Sequence, residues 1–201
     1  MAYSQFNSIA KVKEAFNLKT IEGVKFLPEM TPISPSLTLA TILEENLPLA
    51  VATGSQKARS ELIISPVLVE VRRLLNRKIS LFSGEDFNVD ESLGLNGRCD
   101  FLLSRSPELL SIEAPAILIV EAKQADLKPG LSQCVAEMVA AQKFNTRHQN
   151  SVTHIYGAVT NGIQWQFLEL IESTVTIDFT IYPLPPVETI LGFLVWMLNQ
   201  N

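Results

Sequence analysis

The 201-residue chain holds only two cysteines and two histidines. Cys99 and Cys134 form no CxxC pair, and neither His148 nor His154 has a Cys or acidic ligand pattern around it. A disulfide framework, a structural zinc site and a histidine-based mechanism therefore lack the residues they would need. Basic residues are short as well: 16 Lys and Arg stand against 21 Asp and Glu, a net charge of -5. That balance argues against indiscriminate gripping of a phosphate backbone, which draws on many cationic contacts, so any nucleic-acid contact is expected to be local. No long apolar run is present. The stretch from Val187 to Leu198 is broken by Glu188, Thr189 and Gly192 and falls short of the about 20 residues that a bilayer requires. The opening residues lack the basic, apolar and small-residue sections of a secretory leader, and the expected compartment is the cytoplasm. With no GxSxG elbow and no P-loop, serine-hydrolase and nucleotide-triphosphatase chemistry have no residues to stand on.

What is present suffices for a full core. The hydrophobic share is 47%, and one domain is the expectation for this length. Residues 1–55 read as an N-terminal helical elaboration, with helical spacing at Phe6 to Phe16 and Leu37 to Asn46, the latter capped by Ser36. From Gln56 to Arg77 the pattern is helical, with Pro66 bending or restarting it. Strands are predicted at Lys78 to Val89, Arg98 to Arg105 and Ala116 to Lys123, then a helix from about Gly130 to Phe144. Two more strands, His154 to Thr160 and Ile163 to Ile171, flank Asn161-Gly162, a hairpin signal because both residues tolerate positive φ. A β-branched run from Thr174 to Tyr182 and a final helix complete residues 171–201. This order predicts an α/β fold, a mixed central sheet with helices packed on it.

The run Ala116-Ile-Leu-Ile-Val-Glu-Ala-Lys123 carries the most information. Alternation puts Ile117 and Ile119 on one face with Glu121 and Lys123, and Leu118 and Val120 on the other. A strand apolar on both faces is a central, doubly covered one, and this one ends in a carboxylate and an ammonium pointing the same way. A Glu-x-Lys triplet alone is equally well a plain salt bridge. Asp100 adds weight, because it follows the turn at Asn96-Gly97 and opens the apolar run Phe101-Leu102-Leu103 of the preceding strand. If the two strands pair, Asp100 lies beside Glu121, and two carboxylates in a cleft favour a hard divalent ion such as Mg²⁺. Such a site suits phosphodiester hydrolysis, with Lys123 orienting water or stabilising developing charge. The preceding helix offers a third acid. Glu61 shares a stripe with Ile64, Leu68, Val71 and Leu75 that is expected to face the sheet, whereas Glu70 shares one with Ile63, Val67 and Leu74. The bend at Pro66 prevents the helical wheel from deciding between them.

Asp100 followed by Glu121-Ala122-Lys123 resembles the motif of the PD-(D/E)XK nuclease superfamily, of restriction-endonuclease-like fold, and most of all the nuclease module at the front of type I restriction enzymes' motor subunits. The likeness extends to Arg98-Cys99-Asp100, to Gln133 in the next helix and to Thr160-Asn161-Gly162 with Trp165, over residues 56 to 170. It implies a Mg²⁺- or Mn²⁺-dependent nuclease acting on DNA, with Asp100 and Glu121 as metal ligands and Lys123 assisting the attacking water. It also makes Glu61 the preferred helix acid and Gln133 a site residue. Cys99 replaces the usual proline, and Glu137 stands where several related nucleases have Tyr, which weakens the transfer to Gln133. These 201 residues contain no helicase motor, so a restriction-like role is expected to need other subunits, and a catalytically silent binding or assembly module is the alternative. Trp165 reads as packing. The apolar last helix is expected to be either buried or a homodimer contact.

Overall fold

The computed structural model describes residues 3–200. After a short 3₁₀ turn, the chain forms α1 (Ile9–Phe16), β1 (Lys19–Glu22), α2 (Leu37–Thr53) and α3 (Gln56–Arg59). A wider π-type turn (Ser60–Ile64) leads without a break into α4 (Ser65–Leu74). Then come β2 (Ser80–Asp86), β3 (Arg98–Ser104), β4 (Ala116–Ala122), α5 (Lys128–Arg147), β5 (His154–Thr160), β6 (Gln164–Ile171), β7 (Thr174–Ile177), β8 (Tyr182–Pro183) and α6 (Val187–Asn199). The eight strands make one sheet in the order β1-β7-β6-β5-β4-β3-β2, with β8 paired to β6. Two pairings, β1 with β7 and β4 with β5, are parallel and the others antiparallel. The sheet is thus mixed, with helices on both faces. No helix among the described residues is long and apolar enough to cross a membrane.

From Leu118 on, burial follows the alternation of β4: Leu118, Val120 and Ala122 join one core with residues of α2, the π turn, α4 and α6, while Ile119 joins a second core built on α5 and α1. Ile117 does not share the face of Ile119 as alternation predicts, because the β3–β4 register shifts between Leu103 and Ser104 and turns it into the first core. All seven residues of β4 are buried. The parallel β4–β5 pair requires a crossover, and α5 supplies it. That helix lies so close to β5 that a Cβ on Gly157 would stand 2.5 Å from Met138 Sδ and 2.8 Å from Cys134 Sγ. Glycine is needed there for space.

Three further features differ from what the sequence predicts. The N-terminal region contributes a strand, β1, in addition to its helices; at four residues with a largely exposed pattern it carries no readable alternation. The run from Thr174 divides into β7 and β8 because the Asp178 carboxylate accepts from Thr180 N (2.8 Å) and from the Tyr182 hydroxyl (2.7 Å), folding the chain back onto β6. In the β5–β6 connection only Gly162 has positive φ, at 89°. In α6, Ile190, Leu191, Leu194 and Met197 are buried in the core on its side of the sheet, the first of its two expected fates, while Val195 and Trp196 stay half-buried.

Pro66 does not break its helix. The Ser65 N–H bonds the Ser60 carbonyl, five residues back, so the helix widens just before the proline. In an α-turn the carbonyl of Leu62 would pair with the N–H that Pro66 lacks. It accepts instead from the side-chain amide of Asn46 on α2, at 3.0 Å. We expect Asn46→Ala to destabilise the fold by about 1–2 kcal/mol, because it leaves that carbonyl short of a partner. Urea unfolding of both proteins checks this; an unchanged midpoint would mean that water replaces the amide.

Candidate functional site

β3 and β4 run antiparallel with Phe101 opposite Val120, and the regular ladder ends there. Just beyond it, Asp100 Oδ2 accepts a hydrogen bond from Ala122 N at 2.8 Å. This places Asp100 against the end of β4, next to Glu121 and Lys123. Glu121 is 1% exposed and its Oε1 forms a short ion pair with Lys123 Nζ, while its Oε2 is buried and accepts nothing. Burial, and after it the negative charge of Asp100, raises the Glu121 carboxyl to about 7, even though the Lys123 ammonium opposes the shift. Burial likewise raises Asp100, against the lowering effect of the Ala122 N–H and of Lys123. The three predicted residues are therefore gathered at the open end of β4. Strand pairing places the two acids, and the buried strand holds their charges where water is scarce.

The helix acids divide differently. Glu70 is buried, but its carboxylate is fully engaged. It accepts from Arg73 Nε (2.8 Å) and Nη2 (2.7 Å), and from Ser36 N (2.7 Å) and Oγ (3.0 Å). These bonds, with that to Arg73 foremost, hold it below the ordinary carboxylate range. Since Ser36 Oγ also caps α2 by accepting from Leu39 N at 3.2 Å, Glu70 fastens α4 to the start of α2 and faces no site. Glu61 does not face the sheet as its stripe predicts. The π turn adds residues to the helical repeat and rotates it outward, where its side chain is 61% exposed and pairs with Lys57 at 3.3 Å. Glu61 nevertheless lines the same cleft as Asp100, of about 410 Å³, together with Lys57, Ser60, Gly84 and Phe101.

Gln133 lies on α5, where its Nε2 donates to Glu137 Oε1 at 3.1 Å. Glu137 is the residue the sequence reading passed over, noting it only as a departure from Tyr. It is fully buried, its Oε2 has no partner, and burial followed by repulsion from Glu121 pushes its carboxyl far above the ordinary range. A single acid within the otherwise apolar stretch from Cys134 to Ala141 was the available signal. Among the described residues no three His, Cys, Asp or Glu side chains are arranged to hold a metal ion. The acids that Asp100 and Glu121 offer are two, a number that suits Mg²⁺, which commonly takes one or two carboxylates and completes its shell with water and substrate oxygens. The uncommitted Glu121 Oε2 fits that role.

The turn after β5 holds the surroundings still. Asn161 Nδ2 donates to Ala125 O (2.8 Å), tying down the loop that leaves β4, and Asn161 O accepts from Arg59 Nη1 (2.9 Å), tying down the helix that carries Glu61. Its Oδ1 accepts from Gln164 N at 2.9 Å, and Thr160 Oγ1 accepts from Gly162 N at 2.9 Å. Trp165 is buried and donates from Nε1 to Gly162 O, which makes it packing, as its strand position predicts. No family model and no curated protein matches the chain.

The raised acid has a consequence for stability. Free in the unfolded chain, Glu121 titrates near its ordinary 4.5; folded, it titrates at about 7. The native state therefore binds more protons between those values. The corresponding stabilisation is complete at low pH and is lost as pH rises through about 7, in total on the order of a few kcal/mol. Glu121→Gln is expected to have the higher Tm at pH 8 and to lose most of that advantage at pH 5. Thermal unfolding of both proteins across this range checks it, and a variant less stable at pH 8 would show that the Lys123 pair outweighs the buried charge.

Proposed function

We propose that the chain is a divalent-metal-dependent nuclease of restriction-endonuclease-like fold that hydrolyses phosphodiester bonds in DNA. The observation that carries this reading is a buried Glu121 oxygen without a partner, next to Asp100 and to a lysine two residues on. Asp100 and Glu121 would hold Mg²⁺ or Mn²⁺, which when bound supplies Lewis-acid stabilisation of charge on a phosphate. Lys123, held by Glu121, presents a cation that positions water and offsets charge developing on phosphate oxygens. Glu61, across the cleft from Asp100, orients solvent at its mouth. Gln133, fixed by Glu137, borders the site from α5. The mixed sheet, with the acids at the ends of β3 and β4 and the crossover helix directly after, agrees with the family resemblance of the motif.

A second reading, a silent nuclease-like module that binds or assembles with a partner, is favoured by the charges around the cleft. Lys57 is paired with Glu61 and Arg98 with Asp86 (3.6 Å), so the basic groups there are already neutralised. A homodimer through α6 would use its half-buried Val195 and Trp196. Calorimetric titration with Mn²⁺ separates the two functions: the nuclease reading expects binding by the wild type and loss of about tenfold or more in affinity in Glu121→Gln. In parallel, single-stranded, duplex and branched DNA incubated with Mg²⁺ or Mn²⁺ should be cut by the wild type and not by Asp100→Ala or Lys123→Ala. Cutting that persists in both variants would mark it as contamination, and metal-independent behaviour throughout would favour the module.

A further inference from the structure

The backbone is held at Lys123 and again shortly after it. The Lys123 N–H donates to Thr160 O at 2.8 Å, continuing the pairing of β4 with β5. Two residues on, Ala125 O is held by Asn161 Nδ2 at 2.8 Å. The aliphatic stem then crosses the start of α5 before the ammonium reaches Glu121. At the crossing stands Gly130. A Cβ built there would lie 2.8 Å from Lys123 Cε, 3.1 Å from Lys123 Cγ and 2.7 Å from Val159 Cγ1. The first and last of these separations are shorter than carbon atoms tolerate. Gly130 has no left-handed backbone to explain its presence. The space its side chain would take is filled by the lysine stem and by a Val159 methyl.

We propose that Gly130 is a positioning residue for Lys123: the absence of a side chain at the start of α5 forms the seat across which the lysine reaches Glu121. The two crowded partners differ in what they can do. Val159 is β-branched, buried and part of a paired strand, so it cannot turn away cheaply. Lys123 is partly exposed and ends in a flexible chain, so it yields. Ala at position 130 also raises helix propensity, which offsets part of the strain. Gly130→Ala thus displaces the lysine from Glu121 and leaves the carboxylates in place, while the contact with Val159 strains the helix against β5.

The test reads the lysine directly, so it does not depend on whether the chain cuts DNA. Competitive acetylation with trace acetic anhydride, followed by peptide mass spectrometry, reports how reactive Lys123 is relative to the exposed Lys57. Wild-type Lys123, paired and mostly covered, should react slowly. In Gly130→Ala its rate should rise several-fold, with circular dichroism unchanged. Gly130→Ala/Val159→Ala removes the rigid contact and keeps the lysine contact; the rate should stay high there, and this variant also serves if the single one fails to fold. An unchanged rate in both variants, or a return to the wild-type rate once Val159 is trimmed, overturns the proposal, because the glycine then serves only helix–strand packing. The nuclease reading adds a separate arm, resting on that reading: Gly130→Ala should lower kcat with KM held, and in Lys123→Ala it should cost nothing more. Lysine exposure without any wild-type cleavage would leave the seat standing and remove the nuclease.

Discussion

Seven consecutive residues of β4 are sealed from water on both faces, and the chain changes character only where that strand ends. Burial of this kind supplies the driving force for the sheet, since a doubly covered strand removes apolar area on two sides at once. It also sets the electrostatic conditions of its last residues. Glu121 belongs to the strand and inherits its dryness; Lys123, two residues on, reaches partial exposure. The cleft chemistry is therefore a consequence of strand termination. Had β4 been an edge strand, both charges would be hydrated and neither acid would be displaced from its ordinary range.

Holding the acids together requires that the surrounding backbone not relax. Two neighbouring carboxylates repel, and a mobile loop would let them part. The turn at Asn161 prevents this by using its side chain and carbonyl on three different partners, one on the strand exit, one on the helix opposite and one in the turn itself. Glu70 has a comparable role at the far end of α4, fixing it to α2 through Ser36. The glutamates Glu70 and Glu121 look alike by burial and differ in what they face. One is saturated by donors and stays ionised, while the other keeps a free oxygen and binds protons more readily. That contrast separates a structural acid from a candidate site acid better than accessibility does.

How much of this was readable in advance depended on the range of the interaction. The alternation in residues 116–123 gave β4, its central position and the shared face of Glu121 and Lys123, because a strand's period is local. Asp100 was legible through the turn before it and the apolar run after it. Glu61 and Glu70 were not separable, since a π turn shifts the phase of a helix without leaving a mark in composition; only Pro66 hinted at it, and the compensating donor, Asn46, lies on another helix. β1 was invisible for a similar reason, as four residues at a sheet's margin bury too little to leave a pattern. The importance of Gly130 depends on a lysine seven residues earlier lying across it, a relation with no periodicity at all.

The site finally combines more acid than one lysine can neutralise. Asp100, Glu121 and Glu137 influence one another, and among the described residues Lys123 is the one positive charge that opposes them. Low-dielectric surroundings leave two remedies, a proton on one of the acids or a cation between them. The raised carboxyls are the signature of the first. The proposed metal would be the second, and because both compete for the same oxygens, proton release must accompany metal binding wherever Glu121 is still protonated. The fold is thus stabilised by the proton at low pH, and under the proposed reading it would become receptive to a cation as pH rises through about 7, the value to which burial and Asp100 bring Glu121. The same excess of charge that costs stability is what would give a divalent ion its affinity.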